Sequence, residues 1–172
     1  MMRLMNLIRK YYIQNGQFFI TTTPVLISTV LGSCVSVCLW DKRTHIGGMN
    51  HYLLPGTEED KAGNADRGFP AVKMLIRSLL NRGVDKADLE AKIFGGCNSL
   101  YQKNDLYEIG KRNIDVARQI LKENDIAIVA SDTGGQFGRK IIFNTGTGKV
   151  KMRLLNRTAA DINEEINKGF NY

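Results

Sequence analysis

Cys34 and His51 are the two residues whose types and spacing could perform covalent chemistry. Both lie in the stretch from Ser28 to Pro55, STVLGSCVSVCLWDKRTHIGGMNHYLLP. A thiol and an imidazole delivered by consecutive strands are the minimum parts of a cysteine nucleophile with its base. The reactive form is the thiolate, and a neighbouring histidine can hold a thiolate–imidazolium pair near neutral pH. Gly32-Ser33 breaks the chain sharply before Cys34, so the sulfur and backbone N–H of Cys34 could face a substrate carbonyl together. A third polar group should orient the imidazole. Ser28 and Thr29, on the preceding strand, are the nearest hydroxyls.

Competing readings of the same residue types are plainer. Cysteine is among the most buried residues, so Cys38 and Cys97 read as core packing. His45 falls in a polar turn and reads as solvated. A zinc site built from Cys34, Cys38 and Cys97 with His45 or His51 is a weak alternative, because CxxxC on a buried strand lacks the close knuckle of structural zinc sites. Gly148-Lys149 invites a phosphate-loop reading, which fails: Phe143 stands where that motif needs glycine, and Val150 where it needs Ser or Thr.

The 172-residue chain suits one domain with a substantial core and shows no internal repeat. No window approaches the roughly 18 apolar residues of a membrane span, so a soluble protein is expected. The N-terminal MMRLMNLIRKYY, interrupted by Arg3, Arg9 and Lys10, is a poor signal peptide. Its Leu4, Leu7, Ile8 and Tyr11 fall on one side of a helical wheel, which reads as a short amphipathic helix docked on the domain or a frayed end. Three cysteines without a secretion signal point to free thiols in a reducing cytoplasm. The net charge of +7 would favour an acidic partner. Its densest run, Arg139, Lys140, Lys149, Lys151, Arg153 and Arg157, comes with no nucleic-acid motif, which favours a solvated basic face or an acidic protein partner.

The elements that must position Cys34 and His51 follow from patterning. Phe18–Ile20 and Val25–Leu31 read as strands around a Thr22-Thr23-Pro24 turn, and Val35–Trp40 as a strand buried on both faces. Ile46–Leu54 is extended, with Gly47-Gly48 permitting a bulge or a close backbone approach. Thr57–Asn64 is a polar surface loop beside it. Helical spacing predicts helices over Pro70–Arg82, stopped by Gly83, and over Lys111–Glu123. Strands are predicted at Leu89–Phe94 and Ile126–Ala130, then a turn at Asp132–Gly135. A hairpin is predicted from Lys140–Phe143 and Val150–Leu155, and a short tail helix around Ile162 and Ile166. Helices alternating with strands but interrupted by hairpins predict an α+β fold.

At several points the sequence resembles the chemoreceptor glutamine deamidases of the CheD family. LGSCVSVCLWD at Leu31–Asp41 and GGMNHYLLP at Gly47–Pro55 look like its two catalytic motifs, in order and spacing. AKIFGG at Ala91–Gly96, IGKRN at Ile109–Asn113 and DTGGQFGRKIIF at Asp132–Phe143 are similar to its later ones. The resemblance covers about Phe18 to Leu155. It implies layered β-sheets with flanking helices, akin to the catalytic domain of the cytotoxic necrotizing toxins. It also implies deamidation of selected glutamines on cytoplasmic receptor helices, with methyl-ester hydrolysis as a second reaction and no cofactor. Carried over by position, Cys34 is the nucleophile and His51 the base. The family's catalytic threonine falls, without a gap, on Ser28; Thr29 keeps the residue type one place out of register, which on a strand is the opposite face. Ser28 is therefore favoured and Thr29 held open. The expected organisation is an extension over 1–16, the hydrolase domain over 17–157 and a tail over 158–172. The expected partners are receptor cytoplasmic domains and a CheC-type phosphatase, the protein itself being monomeric and cytoplasmic. The rival reading is a non-catalytic adaptor for receptors or for that phosphatase.

Overall fold

The computed structural model describes residues 8–98 and 106–156. Nine strands and two α-helices are described, in the order β1 (Arg9–Tyr12), β2 (Gln17–Thr21), β3 (Val25–Leu31), β4 (Val35–Asp41), β5 (Gly47–His51), α1 (Gly68–Leu80), β6 (Leu89–Gly95), α2 (Leu106–Glu123), β7 (Ala127–Thr133), β8 (Gly138–Asn144) and β9 (Val150–Leu155). They form a four-stranded sheet, β1-β3-β8-β9, and a five-stranded sheet, β2-β5-β4-β6-β7. The fold is α+β with layered sheets and flanking helices, as expected.

Two cores hold the layers together. Strand β4 shows how one sequence serves both, because alternate side chains point to opposite faces. Val35, Val37 and Leu39 join the core formed with α1 and α2, alongside Leu75, Leu79, Ile120 and Leu121. Cys38 joins the core between the two sheets, with Ile27, Leu31, Met49, Ile141 and Phe143. The near-continuous apolar run of β4 thus reflects burial on both faces, as in strands covered on each side.

The close approach expected at Gly47-Gly48 is present. A Cβ on Gly48 would lie 2.6 Å from Ile20 Cγ1 and 2.9 Å from the Phe19 carbonyl, so β2 and β5 can pair here only around glycine. The hairpin of β8 and β9 also forms as predicted.

Several elements differ from expectation. Arg9–Tyr12 is a strand paired parallel to β3, so the wheel reading of the N-terminus fails for this part. Leu4 and Leu7 lie outside the described residues, as does the tail around Ile162 and Ile166. The segment expected to run extended to Leu54 stops as a strand at His51 and continues through single bridges at Tyr52 and Leu54. Asp132 and Thr133 finish β7, and the turn follows at Gly134 and Gly135, both in the left-handed region at φ 73° and 72°.

Candidate active site

Strands β4 and β5 run antiparallel, with Cys38 opposite Met49 and Val35 bridged to Tyr52. That register sets Ser36 opposite His51 and makes Cys34 and His51 diagonal neighbours on one face. In regular sheets such positions are about 7–8 Å apart between backbones, within reach of longer side chains. The face is the one turned towards β3, and Cys34 packs against its core. Residues Val25, Ile27 and Leu31 of β3 point back at it, and Thr29 shares their alternation.

Thr29 Oγ1 lies 2.8 Å from His51 Nδ1. The same hydroxyl donates to the Ile13 carbonyl at 2.8 Å. A hydroxyl has one proton to give, so the contact with the ring is one that Nδ1–H donates. The lone pair then falls on Nε2, which is buried and without a hydrogen-bond partner. Ser28 is on the other face of β3 and donates to the Tyr11 carbonyl at 3.3 Å. The register preference for Ser28 is therefore corrected: period-two alternation gives the imidazole to Thr29.

Burial dominates the electrostatics. Loss of solvation pulls the His51 imidazole down to about 4, against a smaller opposing effect of the Ile13 carbonyl. It pushes the Cys34 thiol up to about 12; the thiol's own backbone N–H pulls the other way and Cys97 adds to the rise. Burial thus disfavours the charged form of each group.

The turn carrying Cys34 is held from three directions. Gly96 N–H donates to the Cys34 carbonyl at 2.8 Å, and Cys97 N–H to that of Gly32 at 2.9 Å. Behind them, Gly134 N–H donates to Gly95 and Asn98 N–H to Gly135, both at 2.9 Å. Arg139, only 4% exposed, fixes this second loop through Asp132 at 2.5 Å and the Gly134 carbonyl at 2.8 Å. Asn113 of α2 donates to the Ser33 carbonyl. On the His51 side, Ser36 Oγ donates to the Asn50 carbonyl at 2.6 Å and Val37 N–H to Asn50 Oδ1 at 2.8 Å. These two side chains replace ordinary ladder bonds beside His51.

Sequence reasoning did not single out Ile13, Ser36, Asn50, Asn113, Asp132 or Arg139. Asn113, Asp132 and Arg139 lie within motifs already noted, so a buried polar residue inside such a motif was the available signal; Ile13 acts through a main-chain carbonyl and leaves none. Arg139 is not part of a solvated basic face, as its place in the basic run implied. His45 is exposed and stacks on Trp40, while Cys38 and Cys97 are buried. Among the described residues no three His, Cys, Asp or Glu side chains gather as metal ligands, so the zinc alternative finds no ligand set there. No described helix is long and apolar enough to cross a membrane. The groove between α1 and Glu58–Ala62, floored by Phe69, Met74, Ile76 and Leu80, includes none of the Cys34–His51 residues.

Fold and site together define an α+β protein with a half-buried thiol and a buried, oriented imidazole between two sheets. Residues 53–154 match the family described as CheD chemotactic sensory transduction. A Sulfurimonas denitrificans protein named "Probable chemoreceptor glutamine deamidase CheD" is 42% identical over 151 residues, 87% of this chain and 96% of that one. A Trichlorobacter lovleyi protein of the same name is 46% identical over 143 residues, 83% of this chain and 89% of that one. The chain belongs to the CheD family. Among solved structures, the Bacillus licheniformis hypothetical protein YfiH is similar at a TM-score of 0.47 and 15% identity, over 74% of this chain and 60% of that one.

Proposed function

We propose that this protein deamidates glutamine side chains on the cytoplasmic helices of chemotaxis receptors, with Cys34 as nucleophile, His51 as general base and acid, and Thr29 as the group that orients His51. The observation that carries the reading is the Thr29–His51 contact, which leaves Nε2 unpaired on the sheet face that also bears Cys34. The names of its relatives supply the substrate class.

In the first step Sγ bonds to the glutamine side-chain carbonyl carbon while its proton passes to Nε2. The carbonyl oxygen takes the negative charge beside the Cys34 backbone N–H. Collapse of that intermediate breaks the C–N bond, and Nε2–H protonates the departing nitrogen so that ammonia leaves. A water then gives a proton to Nε2 and attacks the thioester; the C–S bond breaks, the thiol is restored and glutamate remains. A glutamyl methyl ester would enter the same thioester with methanol leaving. The chemistry needs no cofactor. Receptor recognition, any contact with a CheC-type phosphatase, the monomeric state and a cytoplasmic location belong to the same proposal.

The test is incubation with receptor cytoplasmic fragments followed by peptide mass analysis. Each converted glutamine should gain about one dalton as NH₂ is exchanged for OH. Receptor binding without any such gain would favour an adaptor instead.

A further inference from the structure

Cys34 and His51 stand on different strands, and one side chain outside the Thr29–His51–Cys34 set fastens both segments. Asn113, on the inward face of α2, is 0% exposed. Its side-chain NH₂ donates to the Ser33 carbonyl at 3.0 Å and to the Leu53 carbonyl at 2.9 Å. Ser33 immediately precedes the nucleophile, and Leu53 follows the base by two residues. Two carbonyls can be faced only by the nitrogen end of an amide, so chemistry fixes the orientation. The Tyr52 hydroxyl adds a third tie, donating to the Asn113 main-chain carbonyl at 2.6 Å.

The helix that carries Asn113 has little freedom to slide. A Cβ on Gly110 would lie 2.7 Å from the Gly96 carbonyl oxygen and 2.9 Å from that of Cys97. One on Gly96 would meet Ile114 at 2.6 Å. Helix and strand exit therefore touch backbone to backbone, next to the loop that holds Cys34. A last feature separates Asn113 from ordinary packing: its Oδ1 is buried with no hydrogen-bond partner. An unpaired buried acceptor costs stability, and an apolar residue would avoid that cost. Its retention fits a task that only a two-armed donor performs.

We propose that Asn113 is a positioning residue for the Cys34–His51 pair, tying the carbonyls of Ser33 and Leu53 to one amide and so setting the separation of thiol and imidazole. This rests on the cysteine–histidine reading of the site, and the experiment separates the two. The rate at which iodoacetamide alkylates Cys34 is followed across neutral to alkaline pH by site-resolved mass spectrometry, on the full chain, alongside thermal melting. The variants are His51→Ala, Asn113→Ala, Asn113→Ser and, as a control for lost stability alone, the α1 core truncation Leu79→Ala.

His51→Ala should slow alkylation at neutral pH by about tenfold or more and move its onset towards that of an unassisted thiol. Asn113→Ala should reproduce most of that change while folded, and Leu79→Ala should melt lower yet keep the parent profile. If Asn113→Ala does not fold, Asn113→Ser, which retains one hydroxyl but no second donor arm, carries the same expectation. A parent-like profile in a folded Asn113 variant, with only the melting temperature reduced, overturns the proposal and leaves the cysteine–histidine reading standing. A profile indifferent to His51→Ala sinks that reading, and the proposal with it.

Discussion

Thr29 and Ser28 give the sharpest test at the scale of single residues, because they are adjacent and point to opposite faces of β3. Thr29→Val keeps the shape and removes the oxygen that His51 Nδ1–H donates to. Stability should fall by about 1–3 kcal/mol for the unpaired buried donor, and kcat by about 100-fold from lost orientation. Ser28→Ala should keep kcat, and chemical denaturation with steady-state deamidation rates checks both. His51 also makes a pH prediction. The unfolded imidazole titrates at its ordinary 6.5 and the folded one near 4, so between those values the unfolded chain binds more protons. Stability is therefore fully present above pH 6.5 and is lost as pH falls towards 4, by up to about 1.4 kcal/mol per pH unit for this group. Urea titrations across that window should show the slope in the parent protein and a flatter one in His51→Gln. Sequence pointed to Cys34 and His51 through a thiol after a Gly-Ser break, a histidine on the next extended segment and the family motifs around both, and the structure sets the two on one sheet face. The choice of Thr29 was not legible, since counting back from Cys34 assumes no irregularity between β3 and β4.

Among the elements, the strand pair β2–β5 and the loop after β7 are where packing and site meet. Gly48→Ala would drive a methyl into Ile20 and the Phe19 carbonyl. A loss of about 1–3 kcal/mol is expected, with His51 displaced because it ends the same strand. Arg139→Met removes the charge that holds Asp132 and the Gly134 carbonyl. The Gly134–Gly135 loop should loosen its bonds to Gly95 and Asn98, and hydrogen exchange at Gly96 and Cys97, which clamp the Cys34 turn, should quicken. Unchanged exchange there would show that the loop does not support the turn. Helices and inner strands were readable because they are long and strongly periodic. Strand β1 was not: Arg9–Tyr12 is short, its apolar spacing also fits a helical wheel, and only its pairing with β3 decides the matter.

For the whole molecule, the layered arrangement explains why His51 is buried and Cys34 half-buried. The site sits between two sheets, and its far wall is completed by a segment from the N-terminal end. Ile13, whose carbonyl accepts the Thr29 hydrogen bond, precedes the expected domain start at residue 17. Deleting residues 1–16 would take β1 and that carbonyl together. The shortened protein should be less stable and lose most of its turnover, whereas full activity would show that Ile13 has no part in orienting His51. Strand order and the parallel β1–β3 pairing were not legible, because they join segments that no local pattern connects. The family was legible, since its motifs recur in order along most of the chain. The most direct measurement is to quench a reaction between the protein and a glutamine-bearing receptor peptide, then map any covalent adduct on the enzyme. The account predicts an adduct with the mass of the peptide less ammonia on Cys34, absent from Cys34→Ala together with all turnover. Undiminished turnover by Cys34→Ala would contradict it.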